Sequence, residues 1–171
     1  MYFTLEEDRR IRERIRFRDF ASRTHVDLGK DKLDVLSDTV ALFMEGKTES
    51  VYPDFFESPV FLASAGLKKI LDMYEPTLAF RTVVLNNALL KTQKIYYLVI
   101  ADEMDCLSEG SEFYLNGWER KVVIDTKKTE GRSVFQVKGL YTRKLYVSLE
   151  IAESIMRRGM QGIIFREMEI V

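Results

Sequence analysis

Two stretches of this chain follow the same plan, and that plan restricts the fold more than any other feature. Residues 60–85 and residues 144–171 each read as a short extended run, a serine, an amphipathic helix and a second strand. In the later stretch Leu145, Tyr146 and Val147 form the extended run, and Ser148 is placed to accept a backbone N–H that the first helical turn leaves unpaired. Glu150 suits the positive end of the helix dipole, and Arg157 and Arg158 suit the negative end. Ile151, Ala152, Ile155 and Met156 recur at helical spacing, which gathers them on one face. Gly159 supplies the left-handed residue that commonly closes a helix, and residues 163–170 have the composition of a strand. In the earlier stretch Ser64 takes the capping place, Leu67, Ile70, Leu71 and Tyr74 form the apolar stripe, and Pro76 ends the helix. An old duplication or convergence on a good helix-on-sheet packing unit would each explain the likeness; two copies are fewer than a repeat array needs, which favours convergence.

The remaining segments are strand-rich. Residues 2–5 read as a first strand, and residues 39–45 place Val40, Leu42 and Met44 on one side of another. Residues 78–85 are apolar on both faces, as a central strand should be, and residues 94–100 resume as a strand after a break at Asn86–Asn87. Asn116–Gly117 marks a hairpin, and residues 122–124 and 134–137 read as a second hairpin around residues 127–131. Earlier, between the first two strands, RRIRERIRFRDF alternates arginine with apolar residues. Read as a strand, the preferred reading, it lines up Arg10, Arg12, Arg14, Arg16 and Arg18 on one face. A helix would pair Glu6 with Arg10 and Asp8 with Arg12 but scatter the apolar residues. Residues 21–38 turn polar and irregular. The order of elements predicts one α+β domain over residues 1–171, with two main helices on one face of a mostly antiparallel sheet. Within it, residues 1–51 hold N-terminal strands and an irregular connection, and residues 52–171 are the part that carries a family likeness.

With 46% apolar residues the chain can bury a sizeable core, and a formal charge of −1 gives no global attraction to nucleic acid or an anionic membrane. The single cysteine, Cys106, excludes an internal disulfide and fits a reducing compartment, so cytoplasm is the expected location. No signal-peptide pattern follows Met1, and the apolar runs fall far short of the roughly 20 residues that span a bilayer.

Catalytic patterns were sought and are incomplete. Ser64 fails as a nucleophile elbow, because Leu62 stands where the first glycine belongs and no histidine follows it. Cys106 with His25 would make a thiolate pair if the fold joined them. Asp54 with Glu119 and Lys121 resembles the acidic-plus-lysine set with which nucleases hold a metal and activate water, and stands as the enzymatic alternative. Asp102, Glu103 and Asp105 lack the register of a calcium loop, and no glycine motif cradles phosphate, so the sequence implies no cofactor and no metal. The acidic set Asp102, Glu103, Asp105, Glu109 and Glu112 reads as a solvated loop or as a contact surface for a basic protein. The arginine series is the rival contact face, suited to an acidic partner. A homodimer formed through an exposed sheet edge is the third alternative.

Taken together, YPDFFESPVFLAS, Tyr74–Glu75–Pro76, DEMDCLSEGSEF and LYVSLEIAESIMRRGMQGIIF resemble a bacterial family, formerly a domain of unknown function, of predicted immunity proteins of polymorphic toxin systems. The likeness covers about residues 52–171 and rests on Ser58–Pro59, the turn from Asp105 to Ser108, Ser148, Gly159 and Gly162. Its motif carries no catalytic residue. The resemblance implies a cytoplasmic α+β binding protein that occludes a cognate protein toxin without turnover, with no nucleic acid and no membrane among its partners.

Overall fold

The computed structural model describes residues 1–11, 13, 15–17 and 38–171. Both strand–helix–strand units are present. The first consists of β5 (Leu62–Ala63), α1 (Ala65–Tyr74) and β6 (Ala79–Asn87); the second of β13 (Leu145–Ser148), α2 (Leu149–Arg157) and β14 (Ile163–Glu167). In neither unit do the two strands pair. β7 (Thr92–Ile100) runs antiparallel between β5 and β6, and β1 (Tyr2–Glu7) runs antiparallel between β13 and β14. Each unit is therefore a split β-α-β, its two parallel strands held apart by a strand from elsewhere in the chain.

The class is α+β and sheet-dominated, with most pairings antiparallel. It differs from the sequence expectation in having two large sheets. One has the order β2 (Arg16–Phe17), β3 (Thr39–Glu45), β6, β7, β5, β4 (Phe55–Phe56); the other has β14, β1, β13, β12 (Val134–Val137), β8 (Glu103–Met104). The helices pack on each other and share one core with both sheets. Leu67, Ile70 and Leu71 of α1 and Ile151 and Ile155 of α2 meet Leu5 and Val147 of the five-stranded sheet and Phe55, Ala63 and Val99 of the six-stranded one. Each such fully buried aliphatic side chain contributes roughly 2 kcal/mol. The opposite face of the six-stranded sheet buries Met44, Val83, Leu85 and Leu98, so β6 is central and two-faced as its composition predicts. No helix among the described residues is long and apolar enough to cross a membrane.

The two helix starts are not equivalent. Ser64 Oγ accepts from Leu67 N at 3.2 Å and donates to Asp54 Oδ1 at 2.5 Å, as a capping serine should. Ser148 makes no such cap bond, and it ends the β1–β13 ladder, beyond which Met1 O takes the Leu149 N–H at 3.2 Å. Ser64→Ala should therefore lower stability by about 1 kcal/mol more than Ser148→Ala, measured by urea unfolding of both variants. Met156 is exposed rather than buried, since it lies about 100° around the axis beyond Ile155, outside the buried arc, while Ser154 lies inside it.

Two expectations need correction, a hairpin and a continuous arginine strand. Residues 122–124 and 134–137 form no hairpin: β11 (Val123–Ile124) pairs in parallel with β15 (Glu169–Ile170), and β12 joins β13 and β8. Successive turns, Lys128 N to Asp125 O at 3.1 Å and Arg132 N to Thr129 O at 2.9 Å, carry the chain from one to the other. The break expected at Asn86–Asn87 is present: β6 ends at Asn87, whose Oδ1 accepts from Leu89 N and Leu90 N at 3.1 Å each, and β7 resumes at Thr92. The arginine series is not a continuous strand: Arg9 and Arg10 lie in a turn and only Arg16 and Phe17 are in β2, while Arg12, Arg14 and Arg18 fall outside the described residues.

Candidate functional site

The Asn116–Gly117 signal builds an exposed apolar ledge. β9 (Glu112–Phe113) and β10 (Glu119–Lys121) pair antiparallel, joined by a turn in which Gly117 N donates to Tyr114 O at 2.8 Å. Of the two turn residues only Gly117 takes a positive φ, +84°. Trp118 stacks on Tyr141 with ring centroids 5.6 Å apart, and Tyr141 lies where a Cβ on Gly117 would come within 2.9 Å. Glu119 fixes the two loops together, accepting from Thr142 N at 2.7 Å and Thr142 Oγ1 at 3.1 Å. Phe113, Tyr114, Leu115, Trp118 and Tyr141 are all exposed, Leu115 fully. Exposed apolar side chains beside a fixed turn make this ledge a candidate contact surface.

Behind the ledge lies a cleft of about 860 Å³ where the two large sheets meet. Val60, Phe61, Leu98 and Val99 contribute apolar wall, and Trp118 and Tyr141 form its lip. Its charges are contributed by distant parts of the chain. Lys144 Nζ sits 2.6 Å from Glu57 Oε1 and 3.3 Å from Glu6 Oε1, and Arg166 Nε donates to Glu6 Oε2 at 3.0 Å. Thr4 Oγ1 adds a bond to Glu6 at 3.0 Å. Burial opposes ionisation of Glu6, but Lys144, the Thr4 hydroxyl and Arg166 outweigh it and hold the carboxyl below its ordinary value. Arg9 Nη2 reaches Glu57 at 3.8 Å, and Asp8 is clamped by Arg10 through two side-chain bonds of 2.8 and 2.9 Å.

The acidic set is spread along the surface rather than gathered. Asp102 lies 3.6 Å from Arg132, Glu103 on β8 lies 3.4 Å from Arg143, and Glu112 on β9 lies 3.2 Å from Arg120, while Asp105 and Glu109 are exposed. Of the arginine series, Arg10 borders the cleft and Arg16 is exposed in register with Glu45. Asp54, Glu119 and Lys121 are not brought to a common centre. Asp54 is engaged by Ser64 and by Gln161 N at 2.8 Å, Glu119 by Thr142, and Lys121 by Glu169 at 2.6 Å. Cys106 is fully buried among Tyr2, Ile124, Phe135 and Tyr146, and burial pushes its thiol up to about 11. His25 lies outside the described residues. Among the described residues no three His, Cys, Asp or Glu side chains converge as a metal site would require.

Sequence reasoning missed the cleft because Glu6, Glu57, Lys144 and Arg166 share no spacing; only the fold brings them together. The ledge did carry a signal, the tryptophan that follows Asn116–Gly117. No protein-family model matches the chain, and no curated protein matches it.

Proposed function

We propose that this protein is a non-enzymatic binding protein of the bacterial cytoplasm, an immunity protein that neutralises a cognate toxin by direct contact. The observation that carries the reading is the ledge formed by Phe113, Tyr114, Leu115, Trp118 and Tyr141, exposed on a hairpin whose base is fixed by Glu119. Glu109 and Glu112 border it in sequence, and Glu103 and Asp105 lie on the connection leading to it. Glu103 and Glu112 are paired with Arg143 and Arg120, so the acids free to steer a basic partner toward the apolar centre are Asp105 and Glu109, both exposed. The resemblance of residues 52–171 to predicted immunity proteins points the same way, as does a single buried thiol suited to a reducing compartment.

The test begins with the product of the adjacent reading frame, co-expressed and co-purified with this chain. Tyr114→Ala together with Leu115→Ala is expected to weaken that complex by roughly 30-fold or more, read by calorimetry. Charge reversal at Asp102, Glu103, Asp105, Glu109 and Glu112 is expected to slow association and flatten its salt dependence. Unchanged affinity in both variants, with the complex intact, would remove the ledge from the interface.

A second reading has its own observation. Ala41, Val84 and Ile95 lie side by side across β3, β6 and β7, next to Phe43, and Phe43 and Ile95 are exposed. An open apolar sheet face of this kind suits a homodimer, and sedimentation at several concentrations before and after Ile95→Lys distinguishes a dimer from a monomer.

A further inference from the structure

The charges in the cleft are not evenly spent. Glu6 accepts from Thr4, Lys144 and Arg166, Glu57 from Lys144, and Asp8 from three nitrogens of Arg10. Glu7 on the same wall accepts from Glu57 N at 3.4 Å, so all four carboxylates have partners. Arg10 and Arg143 are engaged as well, but two guanidinium groups are not filled. Among the described residues Arg166 is held only through Nε and Arg9 only through Nη2 at 3.8 Å, and their side chains are 71% and 64% exposed. A guanidinium carries five N–H donors, so most of theirs remain free beside the cleft. These donors would hold a carboxylate or a phosphate oxygen with charge-assisted bonds.

The remaining walls fix what such an anion is attached to. Val60, Phe61, Leu98 and Val99 offer apolar surface, and the stacked Trp118–Tyr141 pair offers a ring at the lip. The pair is held in place by Glu119 on Thr142 and by the close seat of Tyr141 on Gly117, so a ring arriving there meets a platform already ordered. A volume of about 860 Å³ lies within the range of small-molecule sites.

We propose that this cleft binds a small planar-ring anion, the ring against Trp118 and Tyr141 and the carboxylate or phosphate at Arg9 and Arg166. The assignment shares Trp118 and Tyr141 with the toxin-binding reading, but its test is distinguishable, because neither Tyr114 nor Leu115, the residues exchanged to test that reading, lines the cleft.

Trp118 is the only tryptophan in the chain, so its fluorescence reports on the site directly. The intact protein is titrated with 4-hydroxybenzoate and with adenosine 5′-monophosphate, followed by Trp118 emission and by calorimetry. Saturable binding of either is expected, and the tighter of the two names the anionic group. The uncharged 4-hydroxybenzamide is expected to bind about tenfold more weakly than the benzoate if the benzoate is the ligand, the loss of one charge-assisted bond. Arg9→Gln and Arg166→Gln, both at exposed side chains, are each expected to cost a similar factor for the preferred probe. The proposal is overturned if neither anion saturates by about 1 mM, or if binding is unchanged in the double Arg9→Gln, Arg166→Gln protein.

Discussion

Gly162→Ala is expected to destabilise the protein by at least about 3 kcal/mol, while Gly159→Ala, three residues earlier, costs only about 1 kcal/mol. Both glycines sit in the turn between α2 and β14 with positive φ, +63° at Gly159 and +76° at Gly162. An alanine at either pays the left-handed penalty of an L side chain. Only at position 162 does it also collide. A Cβ there would lie 2.3 Å from Pro53 Cβ and 3.1 Å from Pro53 Cα, whereas nothing lies within 4 Å of one at position 159. Pro53 has little room to retreat, because its carbonyl accepts from the Tyr96 hydroxyl at 2.7 Å and Asp54 N donates to Gln161 O at 2.9 Å. Gly162 O in turn accepts from Asp8 N at 2.9 Å, so the same turn anchors the end of β1 beside the cleft. Urea unfolding midpoints of the two variants, at equal m-values, measure the difference. Equal losses would mean that the Pro53 crossing yields and is not a fixed point of the fold.

The contrast between these glycines also marks how far the residues alone could be read. Local features were legible: the Ser64 cap, the buried stripe of Leu67, Ile70 and Leu71, the two-faced strand around Val83 and Leu85, and the left-handed Gly159 each follow from neighbours within a turn or two. What failed required knowing a distant partner. Residues 134–137 look like the return arm of a hairpin, but Val134 and Phe135 pair with Val147 and Tyr146 instead. Ser148 has the ordinary look of a cap, yet its side chain makes no cap bond, and its backbone is committed to pairing with Tyr2 at the other end of the chain. The site divides along the same line. The ledge announced itself through Asn116–Gly117–Trp118, while the cleft behind it depends on contacts such as Lys144 with Glu57 that no periodicity encodes. Burial also reassigned chemistry: Glu119, attractive as a metal ligand in sequence, is a brace for the aromatic lip.

Glu75→Ala is the second large loss to expect, about 3 kcal/mol at neutral pH, and its dependence on acid separates it from a packing defect. Glu75 closes α1, and its side chain is only 7% exposed. There it accepts from Thr77 Oγ1 at 2.6 Å, from Arg132 Nη1 at 3.1 Å and from Ser133 N at 2.8 Å. These bonds fasten the end of the first split unit to the strand that leads into the five-stranded sheet. Removing the carboxylate leaves the Ser133 N–H without its acceptor and a partly buried guanidinium with, among the described residues, only Asp102 at 3.6 Å and the Thr77 hydroxyl. Burial by itself would raise the carboxyl, but Thr77, the N–H groups of Ser133 and Val134, and Arg132 favour the charged form more strongly and hold it below its ordinary 4.5. A depressed carboxyl stabilises the fold above its unfolded value and loses that contribution as pH falls through the folded one. The stability gap between the native protein and Glu75→Gln should therefore be constant from pH 7 to about 5 and close as the pH is taken below 4.5, in urea titrations at each pH. A gap that persists unchanged into acid would assign the role of Glu75 to shape alone, and the joint between the two units would then owe nothing to its charge.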